Sequence, residues 1–83
     1  MDRRDLLKRI SIDPQVCGGK PVIRGTRIVV SLIVDNLAEG VEKGEILKAY
    51  PQLAREDIHA ALAFAADMTR ERVLPIPLEP SEP

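Results

Sequence analysis

Aromatic side chains are almost missing from this sequence, which has no Trp, one Phe (Phe64) and one Tyr (Tyr50) in 83 residues. Platforms that stack single-stranded nucleic acid need several exposed rings, so that mode of binding is excluded. Histidine and cysteine are as scarce, with His59 and Cys17 each alone and 42 positions apart. A zinc centre needs three or four clustered ligands, and a Ser-His-Asp or Cys-His nucleophile needs its histidine close by. The sequence therefore points away from an enzyme and from a resident cofactor or metal. A lone cysteine makes no internal disulfide. No apolar run approaches the ~18 residues of a membrane span, and Met1-Asp2-Arg3-Arg4-Asp5 lacks the apolar centre of a signal peptide. A cytoplasmic protein without membrane contact is expected.

What is present, 45% hydrophobic and 30% charged residues with a formal net charge of -1, suits one globular domain. The balance hides an asymmetry. Residues 1–30 hold seven basic side chains (Arg3, Arg4, Lys8, Arg9, Lys20, Arg24, Arg27) against three Asp, a net of +4. Residues 31–83 hold five basic against ten acidic, a net of -5. Ordinary solvated charge is one reading. The other is that the N-terminal part meets an anionic partner, either nucleic acid or an acidic protein surface.

Residues 1–9 are polar apart from Leu6 and Leu7 and read as a flexible basic arm before a single domain at residues 10–73. Ile10-Ser11-Ile12 alternates apolar and polar until Asp13-Pro14, as a short strand stopped by a turn does. Val22-Ile23 and Ile28 flank Arg24-Gly25, where glycine supplies the positive φ of a tight reversal, so a small hairpin is predicted there. Short hairpins are marginal alone, and this one must pair with something else. From Val30 the period becomes helical: Val30, Ile33, Val34 and Leu37 share a face, and Gly40 is the stop. A second helix is predicted at about Glu42 to Ala49, ended by Pro51. A third, from Arg55 to about Arg72, has Ile58, Ala61, Leu62, Ala65 and Met68 as its apolar face. Its acids Glu56 and Asp57 stand in the first turn and its arginines in the last, as the helix dipole favours. Residues 74–83 form an extended Pro-rich tail with four of the seven prolines.

The runs Ile12-Asp13-Pro14 and Cys17-Gly18-Gly19-Lys20-Pro21-Val22-Ile23-Arg24-Gly25-Thr26-Arg27-Ile28 resemble the bacterial family known as domain of unknown function 433. So do Leu37-Ala38-Glu39-Gly40, Tyr50-Pro51-Gln52-Leu53, and Asp57-Ile58 followed by Ala60-Ala61-Leu62. The resemblance spans about residues 10 to 69. It implies a mainly α fold: a short N-terminal strand and hairpin, then a three-helix, homeodomain-like helix-turn-helix bundle. It also implies an antitoxin of the VapB type, in a type II toxin–antitoxin pair, that binds and inhibits a PIN-like ribonuclease toxin. The alternative is a DNA-binding transcriptional regulator without a toxin partner. No catalytic residues come with the resemblance.

Gly19-Lys20-Pro21 is not a phosphate loop, because Pro and a hairpin follow where Ser/Thr and a helix are needed. The turn opening the third predicted helix carries two acids against one base (Arg55-Glu56-Asp57-Ile58-His59). Carboxylates facing a polyanion are unfavourable, so the helix-turn-helix is expected to be architectural more than DNA-reading. The candidates for contact with operator DNA or a partner are Arg3, Arg4, Lys8, Arg9, Arg24, Thr26 and Arg27. For toxin binding or dimerisation they are Arg70 and Arg72, whose guanidinium groups can pair with carboxylates of a metal site, and Leu74, Ile76 and Leu78 of the tail. In an extended backbone those three apolar residues line one face, as a strip that adds to a partner's sheet. The small core and unpaired strand edges also predict a homodimer or higher oligomer.

Overall fold

Ile10 and Ile23 face each other across the only regular strand pair among the described residues, and both join the core that the helices enclose. In the computed structural model, which describes residues 1–70, the order is α1 (Arg3–Leu7), β1 (Ile10–Ser11), a 3-10 turn (Cys17–Gly19), β2 (Val22–Ile23), α2 (Val30–Ala38), α3 (Lys43–Ala49) and α4 (Arg55–Arg70). Strands β1 and β2 are antiparallel, with Ile10 opposite Ile23 and Ser11 opposite Val22. The predicted reversal after Ile23 is present: Gly25 has φ 82°, the Ile23 amide donates to Ile28 O at 3.0 Å, and Val22 bridges Val29. Its return side is a single bridge, and the regular partner of β2 is the upstream strand.

Helix α2 ends as its sequence predicts. Gly40 (φ 90°) donates to Leu37 O at 3.1 Å and Val41 to Asn36 O at 3.0 Å, the paired closure that satisfies the last carbonyls of a helix. Ile33, Ile46, Ile58, Ile23 and Val22 are the largest fully buried side chains, joined by Ala60 and Ala61 of α4. The core thus sits where the strand pair meets α2, α3 and α4.

Two elements depart from the sequence reading. The residues read as a flexible arm contain α1, capped by the Asp2 carboxylate, which accepts from the Asp5 amide at 2.9 Å. This helix packs along α4, with Arg3 donating to Asp67 Oδ1 at 3.1 Å and to Ala63 O at 3.3 Å. The buried face of α4 is consequently rotated. With α1 on one flank and α2 on the other, it buries Asp57, Ile58, Ala60, Ala61 and Ala63, while Leu62 and Met68 are 40% and 37% exposed. Five residues make a helix too short to be stable alone, so its formation depends on α4, and the Asp2 cap is its one local signal.

Candidate nucleic-acid and partner interface

Helices α3 and α4 are joined by Tyr50 to Ala54, with Pro51 ending α3 and buried Leu53 holding the turn to the core; the Leu53 amide donates to Tyr50 O at 2.9 Å. Asp57 sets how α4 begins. One carboxylate oxygen accepts from the Ala54 amide at 2.8 Å and closes the N-terminus from the third helical position. The other accepts from the Arg9 guanidinium at 3.0 Å. The Asp57 side chain is only 8% exposed, so this carboxylate is turned inward and neutralised.

The outward line of α4 is therefore Arg55, His59 and Leu62, all exposed at i, i+4 and i+7, with exposed Gln52 ahead of it in the turn. Lys43 Nζ of α3 lies 3.5 Å from His59 Nε2 and extends the polar face sideways. Of the two acids expected there, Glu56 alone remains, half-buried, and Glu42 and Glu45 are exposed on α3 and its cap. The sequence reading gave Arg55 no role. The signal that finds it is the Ala54-x-x-Asp57 spacing, which marks the aspartate as a backward-reaching cap and leaves the arginine outside.

The basic candidates have separate fates. Arg24 donates to Lys8 O at 2.8 Å and to Ile10 O at 3.0 Å, so its guanidinium ties the end of α1 to β1. Arg9 is held by Asp57 and Arg3 by Asp67, while Lys8 stands 3.7 Å from Asp5. The Thr26 hydroxyl donates to Ile23 O at 2.7 Å and accepts from the Ile28 amide at 3.0 Å, closing the turn. Arg4 and Arg27 are exposed. Lys8, Arg9 and Arg24 do come together with Gln52 and Asp57 around one open hollow of about 650 Å³, which joins the N-terminal basic residues to the α3–α4 turn. Arg70 shares Asp67 with Arg3. Arg72, Leu74, Ile76 and Leu78 lie outside the described residues. Cys17 sits at φ 49° with its thiol 3.6 Å from Arg27 O. No group of three metal-ligating side chains occurs among the described residues, and none of their helices is long and apolar enough to cross a membrane.

A mainly helical module with a strand pair at its start and a helix–turn–helix at its end is the class this geometry defines. Residues 10–65 match the family described as protein of unknown function (DUF433), and the chain belongs to that family. It is 36% identical over 56 residues to an uncharacterized protein, y4eO, of Sinorhizobium fredii. That match covers 68% of this chain and 25% of the relative, so the chain spans about a quarter of that protein's length. The crystal structure of a DUF433 member from Anabaena variabilis is similar at a TM-score of 0.72 and 37% identity, over 82% of this chain and 67% of that one.

Proposed function

We propose that the chain is an antitoxin-type interaction module that binds and inhibits a PIN-like ribonuclease toxin and contacts operator DNA through the outward face of α4. The toxin half of this reading rests on the family resemblance alone. The DNA half rests on one observation: Asp57 is turned inward onto Arg9 and Ala54, which leaves Gln52, Arg55 and His59 as the outward line at the start of α4. Residues at the start of a recognition helix are those that meet base edges, and Arg and Gln are suited to guanine and adenine. Two copies on a two-fold operator, with half-sites about one helical turn apart, are part of this reading.

The test is titration of DNA from upstream of the chain's own gene at several salt concentrations, with affinity capture of the neighbouring gene product in parallel. Arg55→Ala and Gln52→Ala should each weaken specific binding by about tenfold, or about 1.4 kcal/mol, and relax base preference. Neutralising Glu42 and Glu45 should raise affinity. Unchanged affinity in the Arg55 and Gln52 variants would reject this face. Operator binding with no nuclease captured would favour a regulator without a toxin.

A further inference from the structure

The hollow of about 650 Å³ beside the α3–α4 turn gathers charge from both ends of the chain. Its lining holds three cations, Lys8, Arg9 and Arg24, against two carboxylates, Asp5 and Asp57. The carboxylates are not equivalent. Asp57 is 8% exposed and gives one oxygen to the Ala54 amide and the other to Arg9. Asp5, 54% exposed, is the one carboxylate of the lining that faces solvent.

The cations differ too. The Arg24 guanidinium is turned onto Lys8 O and Ile10 O and forms part of the wall. Arg9 reaches Asp57 through Nη1 and stays 34% exposed, and a guanidinium carries five N–H donors, more than one carboxylate oxygen takes. Lys8 is 74% exposed, and its ammonium stands 3.7 Å from Asp5, too far for a hydrogen bond. A swinging ammonium beside a part-engaged guanidinium is a donor set for the oxygens of a phosphodiester. Gln52 says which phosphodiester. It lines the hollow and also stands ahead of Arg55 on the outward line of α4. The major groove is only ~12 Å wide, so a duplex with its base edges on that line carries a backbone strand close alongside.

We infer that a backbone phosphate of duplex DNA sits in this hollow, held by the Lys8 ammonium and the Arg9 guanidinium, and fixes the register of α4 in the groove. The inference rests on the DNA half of the function proposed above. Lys8→Gln removes the charge and leaves Lys8 O in place for Arg24. On duplex from upstream of the chain's own gene, it should weaken binding by about eightfold at ~0.1 M salt and flatten the slope of log affinity against log salt by about 0.9. The loss should be equal on an unrelated duplex, since phosphate contacts carry no sequence information, and the urea midpoint should not move. Asp5→Asn should act in the opposite sense and strengthen binding by about twofold. A duplex carrying a neutral methylphosphonate at the contacted position should bind the unaltered chain more weakly and Lys8→Gln no more weakly than the natural duplex does. An unchanged salt slope in Lys8→Gln, or a loss confined to one sequence, overturns the phosphate site. If Arg55→Ala abolishes base preference while Lys8→Gln keeps its slope, the phosphate site falls and the α4 face stands. A flattened slope with no effect of Arg55→Ala keeps the phosphate site and removes the base-reading face, and a chain that binds no duplex overturns both.

Discussion

The carboxylate of Asp57 does two jobs that differ in kind. It satisfies the Ala54 amide at the start of α4, and it holds the guanidinium of Arg9 from the other end of the chain. Removing Arg9 is costly because Asp57, 8% exposed, is left with its charge largely desolvated, whereas Arg9, 34% exposed, keeps part of its hydration when Asp57 is removed. Arg9→Ala should therefore destabilise by about 2 kcal/mol, and Asp57→Ala by about 2–3 kcal/mol because the cap goes too. In the double variant the losses should fall short of their sum by about 1 kcal/mol or more, the signature of a shared interaction. Urea unfolding of the four proteins measures this cycle, and additive losses would mean that the two side chains act independently.

At the scale of elements, the informative piece is α1. Lys8 O, at its C-cap, and Ile10 O of β1 both accept from the Arg24 guanidinium, and the Arg24 amide also donates to Arg9 O at 2.7 Å. An arginine read from sequence as a candidate for DNA or a partner is thus a clamp between helix and strand. Charged donors to carbonyls are stronger than neutral ones, but this residue is exposed, so Arg24→Ala should cost about 1–2 kcal/mol. Faster amide exchange should appear at Leu6 and Ile10, with operator affinity per folded molecule unchanged. A variant of undiminished stability that binds DNA tenfold more weakly would return Arg24 to the interface.

Across the whole molecule, the opposite net charges of the two halves are partly spent on each other. Arg3 reaches Asp67 and Arg9 reaches Asp57, so α1 and the segment behind it are attached to α4 by charge as well as by Leu6 against the core. The Arg3–Asp67 pair is exposed enough to be screened, with side chains 48% and 29% accessible. Raising sodium chloride from about 0.05 to 0.5 M should lower stability by about 0.5–1 kcal/mol, mainly through α1. Denaturant midpoints at the two salts report it, and a rise in stability with salt would show that repulsion within the basic segment outweighs its attachment to α4.

The periodicity of Val30 to Leu37, the stops at Gly40 and Pro51, and the tight reversal at Gly25 are short-range facts, readable because each is decided within a few residues of the chain. Helix α1 was not legible, since five residues cannot hold a helix without the α4 surface they pack on. Nor was the orientation of α4. Ile58 and Ala61 point inward on any reading, but whether Leu62 or Ala60 joins them depends on where α1 and α2 sit. The candidate interface is legible in part: the spacing of Ala54 and Asp57 marks a local cap, but the Arg9 guanidinium that holds the other oxygen of Asp57 comes from 48 positions away. Local pattern determines which segments are helix, strand or turn. Long-range contact decides which face is buried and which charges remain for a partner, because burial and pairing are properties of neighbours that the chain order does not contain.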